Sequence, residues 1–274
     1  MPALRKLATN PLSVIGAILL LAAILCALLA PWLSPYDPMK LVIAERLEPP
    51  SLDHLFGTDV YGRDILSRVL YGARVSLRVA LIATLLALSS GTLVGVIAGI
   101  AGGVVDNVLM RVSDVLLAFP SLLLAIGISA ALGTGETSIV LALWFVYLPR
   151  FARLARASVL QVRDLEFVSA ARGLGATGLR VALRHIGPSI LSPLAIQVSV
   201  YFSEMILAEA ALSFLGLGTP PPTPSWGNIL SEGRDFMRLA PWISVFPGLF
   251  ILLTVLGVNL LGDGLRDTLD PRAG

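Results

Sequence analysis

LQVRDLEFVSAARGLGATGLRVALRHIGP, residues 160–188, is a polar-enriched stretch between two strongly apolar blocks. From Arg150 to His185 the chain carries seven arginines (150, 153, 156, 163, 172, 180 and 184) against Asp164 and Glu166. In so apolar a chain this reads as a loop held outside a bilayer on its cytoplasmic side, where Lys and Arg accumulate. A helix is predicted through Arg172, with Gly173 or Gly175 as its stop. Leu160, Val162, Leu165, Phe167 and Val168 point several ways. That suits a short helix gripped on more than one side. Ala170 and Ala171 allow another backbone to come close, and Gly175 permits a turn that a Cβ would obstruct.

The rest of the composition supports a membrane setting. Of 274 residues, 56% are hydrophobic and 14% charged, where a soluble domain carries about 25% charged. Uncharged runs longer than 18 residues then argue for a polytopic membrane protein. A net charge of +2 gives no nucleic-acid footprint. Cys26 is the single cysteine, so no internal disulfide and no cysteine-based zinc site can form.

Six apolar segments can be read. The first, Leu12 to Leu33, follows Arg5 and Lys6 and places the N-terminus in the cytoplasm. It then meets PWLSPYDP, whose prolines end a helix. Residues 34 to 75 form a mixed-charge outer segment. The second span is Val79 to Val105, with a small-residue stripe at Gly91, Gly95, Gly99, Gly102 and Gly103 that suits close helix packing in lipid. The third is Val115 to Leu132, kinked at Pro120. Thr137 to Pro149, the fourth, offers thirteen uncharged residues and spans only with snorkelling arginines or cover from neighbours. It is required by parity, since without it the arginine-rich loop falls outside. The fifth is Ser189 to Ala211, begun by Pro188, and the sixth Leu239 to Gly262. The expectation is an all-α membrane protein of six transmembrane helices with both termini cytoplasmic. It divides into an N-terminal region, 1–75, and a core of five spans, 76–274.

The pattern Glu166, Ala170-Ala171, Gly175 and Ile186-x-Pro188 resembles the EAA loop of ABC-importer permeases, with Gly187 where that family usually has leucine. HLFGTDVYGRDILSRVLYGARVSL (54–77), LSFLGLGTPPPTPSWGNIL (212–230), LLGDGLRDTLDPR (260–272) and PYDP (35–38) resemble segments of its dipeptide/oligopeptide/nickel group, in the expected order. They match the second of the two paired permeases. The resemblance implies the type I ABC-importer permease fold in a bacterial or archaeal inner membrane. It implies no cofactor and four kinds of contact: a homologous permease as heterodimer partner, two nucleotide-binding ATPase subunits or domains, an extracytoplasmic substrate-binding protein, and the lipid bilayer. It implies that the loop at about 157–188 couples to the ATPase through Glu166, Ala170, Ala171 and Gly175. Peptide is the expected cargo, with nickel, glutathione or another solute as alternatives.

Two observations from the residues stand beside this. No G-x-x-x-x-G-K-[ST] phosphate cradle occurs, so ATP hydrolysis is expected from partner subunits and no catalytic residue is assigned. Glu204 and Glu209 fall in or near a span, where a carboxylate is costly unless it faces protein or water. Each could line the translocation path or make a structural pair. A self-sufficient proton transporter working through them is the alternative, and it predicts uptake without ATPase subunits. Glu166 could equally pair with Arg163 or Arg172. Arg111 and Asp114 are expected to pair, Trp226 to anchor at the membrane interface, and Asp59 or Asp64 to cap a helix rather than bind metal with His54.

Overall fold

The computed structural model describes residues 10–269. Arg5 and Lys6, on which the N-terminal orientation rests, and the last residues of the 260–272 segment lie outside that range. Among the described residues five helices are long and apolar enough to cross a membrane, and a pair bent by 90° makes the sixth when counted as one span.

Helix α1, Pro11–Leu28, starts where Asn10 accepts a hydrogen bond from the Leu12 amide and Pro11 needs no partner. The apolar run continues to Leu33 in the sequence, yet the helix breaks at Leu29 and a short α2 follows, Ala30–Leu33. Pro31 sits in the first turn of α2, where a missing N–H costs nothing.

Residues 34–64 form an irregular cap. Its anchor is aromatic: Phe56 stacks on Phe246 at 3.8 Å, and Trp242 donates to the Thr58 carbonyl at 3.0 Å. Asp64 closes the cap by accepting from the Ser67 amide and so begins α3, Ile65–Ala101. At 37 residues α3 is about 55 Å long. It therefore runs from the outer cap through the bilayer, and crosses residue 75 without a break.

Gly102 ends α3 in a left-handed conformation, φ +63°, which glycine adopts freely. The second span thus stops at Ala101, short of the expected Val105. Next come α4, Gly103–Leu117, and α5, Ser121–Leu132, bent by 90° at the intervening residues. Pro120 lacks an N–H and pushes Phe119 out of helical conformation. The expected kink is a full break, and the helix before it starts twelve residues earlier than Val115.

Helix α6, Glu136–Val162, is twice the length of the thirteen-residue segment read from the sequence. It continues through Pro149 and through Arg150, Arg153 and Arg156. Arg, Ala and Leu favour helix, and carboxylates of neighbouring helices meet these arginines. The remaining helices are α7, Glu166–Gly173; α8, Gly178–Val181; α9, Gly187–Phe214, entered through a π-turn at Ala182–Ile186; α10, Trp226–Gly233; and α11, Trp242–Leu269. Pro188 occupies the first turn of α9.

The core is a seam between α3 and α6. Without side chains, Gly91, Gly95 and Gly99 let α6 pack directly on α3: a Cβ at Gly95 would stand 2.2 Å from the Ala152 carbonyl oxygen. The stripe is therefore Gly91, Gly95 and Gly99, while Gly102 and Gly103 turn the chain. A second close contact joins α1 to α11, where Gly16 and Gly257 meet the opposing backbone. Outward-facing Ile18, Leu21 and Leu85 are exposed on these helices, as a lipid-facing surface requires.

Candidate coupling surface and membrane path

Helix α7 is short and half-open. Val168, Val181 and Ile186 are fully buried and join the main core, with Val162 and Ala176 packed on it. On the other side Glu166, Phe167, Ala170, Gly173 and Leu174 are exposed. They recur at i, i+1, i+4, i+7 and i+8, so they form one stripe. Ala171 lies half-buried at its margin. The helix is thus fixed on one side and free on the other.

Its C-terminus is closed by a Schellman arrangement. The Ala176 amide donates to the Ala171 carbonyl and Leu174 to Ala170, while Gly175 adopts φ +85°. A Cβ at Gly175 would touch nothing within 4 Å. The requirement for glycine is therefore conformational, not steric crowding. Arg163 hydrogen-bonds the Gly99 carbonyl at 2.9 Å and pairs with Asp164. This ties the start of the loop to the end of α3.

The arginines of the 150–163 stretch do not all belong to a loop. Arg156 pairs with Asp106 of α4, with Nη2–Oδ2 at 2.6 Å. Arg153 lies 3.8 Å from Asp114, which takes the partner expected to be Arg111. Arg150 meets Glu204 of α9 at 2.6 Å and donates to Ser121 Oγ at 2.6 Å. The rings of Tyr147 and Tyr201 lie 4.8 and 5.7 Å from its guanidinium carbon. A charge at mid-membrane costs roughly 2.5–3.5 kcal/mol when unmatched, and pairing offsets this.

Glu204 and Glu209 are five residues apart, so they leave α9 on different sides. Glu204 is partly exposed beside Arg150. Glu209 is buried, and one of its oxygens accepts from Ser213 at 2.7 Å. Beside that turn, Gly227 of α10 comes so close that a Cβ would lie 2.3 Å from the Ala210 carbonyl oxygen.

Trp226 is not an interface anchor. It is fully buried; its ring N–H donates to the Val69 carbonyl at 3.1 Å, and Gly72 leaves room for the ring. An indole with its single donor satisfied belongs in a core. Nearby, Asp59, Arg63, Arg68 and Glu232 form a charge-balanced cluster. Arg63 reaches Asp59 and Glu232 at 2.6 Å each, and fully buried Arg68 bonds both carboxylates. The cluster clamps the outer cap to α3 and α10. His54 bonds Asp64 at 2.9 Å and Glu45 at 3.4 Å, with Tyr36 against its ring. Burial alone would lower its pKa, but the bonds and charges of Asp64, then Glu45, outweigh this and raise it. Asp59 is held by arginines and Asp64 caps α3. Among the described residues no group of three or more His, Cys, Asp or Glu is arranged to hold a metal.

Sequence reading allowed Glu204 an arginine partner without identifying Arg150, and missed the Asp59 cluster. A signal for the first was present: Glu204 inside a span needs a cation, and Arg150 follows directly on a neighbouring apolar segment. The cluster gave no such signal, because Glu232 is separated from Asp59 by most of the chain.

Known proteins share this fold. A solved structure described as inward-facing conformations of the MetNI methionine ABC transporter matches with a TM-score of 0.61 at 15% identity, covering 74% of this chain and 96% of that one. It establishes the fold, that of a type I ABC-importer permease. A relative from Brucella suis, provisionally named a peptide transport system permease protein, is 51% identical across 94% of this chain and 87% of its own length. The dipeptide transport system permease protein DppC of Alkalihalophilus pseudofirmus is 44% identical across 98% of this chain and 89% of its own. The glutathione transport system permease protein GsiD of Shigella flexneri is 45% identical with the same coverage. Residues 2–50 match the model for the N-terminal TM domain of oligopeptide transport permease C. Residues 91–274, most of the chain, match the model for the binding-protein-dependent transport system inner membrane component. The chain is therefore a multi-pass inner-membrane permease subunit, and belongs to the binding-protein-dependent transport system inner membrane component family.

Proposed function

We propose that this permease forms half of the translocation path of an ATP-driven importer of short peptides. Its other half is a homologous permease. Two ATPase subunits act on the exposed face of α7 through Glu166, Ala170, Ala171 and Gly175, and an extracytoplasmic binding protein delivers cargo to the outer side. Residues 1–75 frame the assembly, and residues 76–274 carry the path. Glu204 lines that path, and Glu209 supports it from behind by fixing the turn under α10.

The observation that carries the reading is the construction of α7. One side is locked into the core by Val168, and the other leaves an apolar and acidic stripe open beyond the spans. Such a helix transmits displacement to the helices on either side of it, α6 and α9. Peptide is preferred because the relatives' names give a dipeptide and glutathione, both short amide-linked molecules with an ammonium and at least one carboxylate.

The test uses the full transporter in proteoliposomes. Glu166→Lys reverses a charge on the exposed stripe, and Gly175→Val forces a β-branched residue into φ +85°, at about 1–3 kcal/mol. Both variants should insert and assemble yet separate ATP hydrolysis from uptake. Normal ATP-driven uptake in both would overturn the coupling role. Uptake by the chain alone under a proton gradient would replace the importer reading.

A further inference from the structure

The Arg150–Glu204 pair has features that packing alone does not require. Arg150 lies about 21 Å along α6 from one end and about 18 Å from the other, near the middle of this membrane-crossing helix. Its side chain is 26% exposed and that of Glu204 41%. A charge pair at that depth cannot face lipid cheaply, so its open side meets water or polar groups. Around it, Tyr147 and Tyr201 present ring faces, and Ser121 adds a hydroxyl at the first residue of α5. Three helices thus converge on one open ion pair, beside the break at Pro120. Pro149, next to Arg150, removes one internal hydrogen bond of α6 at the same level.

We propose that Arg150 and Glu204 form a charge-exchange gate for zwitterionic cargo: Glu204 takes the ammonium, Arg150 the carboxylate, and the two side chains pair again behind it. The inference deepens the importer reading and rests on it. Its physical basis is charge balance. A zwitterion brings one charge of each sign, so its entry replaces one ion pair by two. No charge is left unmatched in a poorly solvated space at any stage. A single charged residue would hold one terminus and leave the other unpaired. A neutral lining would leave both termini without partners. Geometry sets a further condition. The termini of an extended dipeptide are at most about 7 Å apart, whereas the side chains now stand at 2.6 Å. They must part by several ångströms, which the break at residues 118–120 and the weakened turn at Pro149 allow.

The experiment measures dipeptide taken up per ATP hydrolysed, in proteoliposomes holding the complete transporter and its binding protein. The neutral double variant Arg150→Gln/Glu204→Gln removes both charges together and leaves neither unpaired. Its uptake per ATP should fall about tenfold or more, since both cargo termini then cross without partners. The swapped variant Arg150→Glu/Glu204→Arg restores one charge of each sign and should recover much of the loss. If the pair only holds helices together, the assembled double variant will import at the wild-type ratio, which overturns the proposal. Should that variant fail to assemble, the wild type decides. Competing peptides blocked at both termini, yet still held by the binding protein, should be imported far more slowly than free ones. Equal rates would refute the gate. Absence of any ATP-driven peptide uptake by the wild-type complex would instead sink the importer reading.

Discussion

Gly95→Ala tests the packing of α3 on α6. A Cβ at this position would lie 2.2 Å from the Ala152 carbonyl oxygen, 2.7 Å from Ala155 Cβ and 2.9 Å from the Arg156 amide nitrogen. Ordinary contact begins at 3.4 Å, so α3 and α6 must separate by roughly 1 Å at this level. Two of the three obstacles are backbone, and no rotamer change relieves them. Separation at Gly95 also loosens Gly91 and Gly99, which share the seam. Overpacking of this kind costs about 1–3 kcal/mol, and backbone obstruction favours the upper end. Against it stands about 0.5–1 kcal/mol by which alanine exceeds glycine inside a helix. The net loss is about 2 kcal/mol. Gly127→Ala in α5 is the matched control, because nothing lies within 4 Å of its Cβ position. There only the propensity gain remains. Thermal unfolding of the purified transporter in detergent should shift down by about 4–8 °C for Gly95→Ala and up by a few degrees for Gly127→Ala. A Gly95→Ala protein melting at or above wild type would refute the seam.

Asp59→Leu deprives two buried arginines of a carboxylate. The uncompensated charge should cost about 3–5 kcal/mol, read as a fall in folded, detergent-extractable protein. Replacing both Asp59 and Arg63 by apolar residues should recover part of it. The raised pKa of His54 makes the outer cap pH-dependent. A raised value means that the folded state favours the protonated ring. Its contribution is complete below about pH 6.5 and is lost as pH rises through the raised value. The melting difference between wild type and His54→Gln should therefore be widest at mildly acid pH and close on alkalinisation. Orientation is checked by labelling: Arg172→Cys should react only from the cytosol and Thr223→Cys only from outside.

Much of the bundle was legible because lipid imposes strong, local rules. Uncharged runs marked the spans and the glycine spacing at 91, 95 and 99 marked the seam, whereas the arginine excess overshot the loop, since Arg150, Arg153 and Arg156 lie inside α6. Of the two expected cap candidates, Asp59 and Asp64, it is Asp64 that caps α3. Where the reading differed, a long-range partner decided the outcome. Helix α6 reaches Val162 because Asp106 and Glu204 pair with two of its arginines, and no property of residues 137–149 reveals that. Trp226 left the membrane surface for the core because Val69, 157 residues away in the chain, and nearby Gly72 supply an acceptor and a space. The break at Pro120 was visible as a proline; its 90° angle was not, since the angle depends on what α4 packs against. The site residues divide in the same way. Gly175 could be read from backbone rules alone, whereas Glu204 announced only that it needs a cation, and the fold decides which one.

The proposed coupling surface and the proposed gate act on the same two helices. Helix α7 is joined to the end of α6 by three residues and to the start of α9 through α8 and the π-turn. Arg150 and Glu204 link α6 to α9 again, near mid-span. Helix α6 is held rigidly to α3 by the glycine seam, so a push on α7 cannot bend it far along that face. Helix α9 enters through a π-turn, a form that recurs at functional sites. On the proposed reading, displacement at α7 therefore moves α9 against a fixed α3–α6 unit. The separation it changes is the one that the Arg150–Glu204 pair measures. Driving the ATPase and opening the gate would then be one motion, with the ion pair as the closed position of a two-state contact.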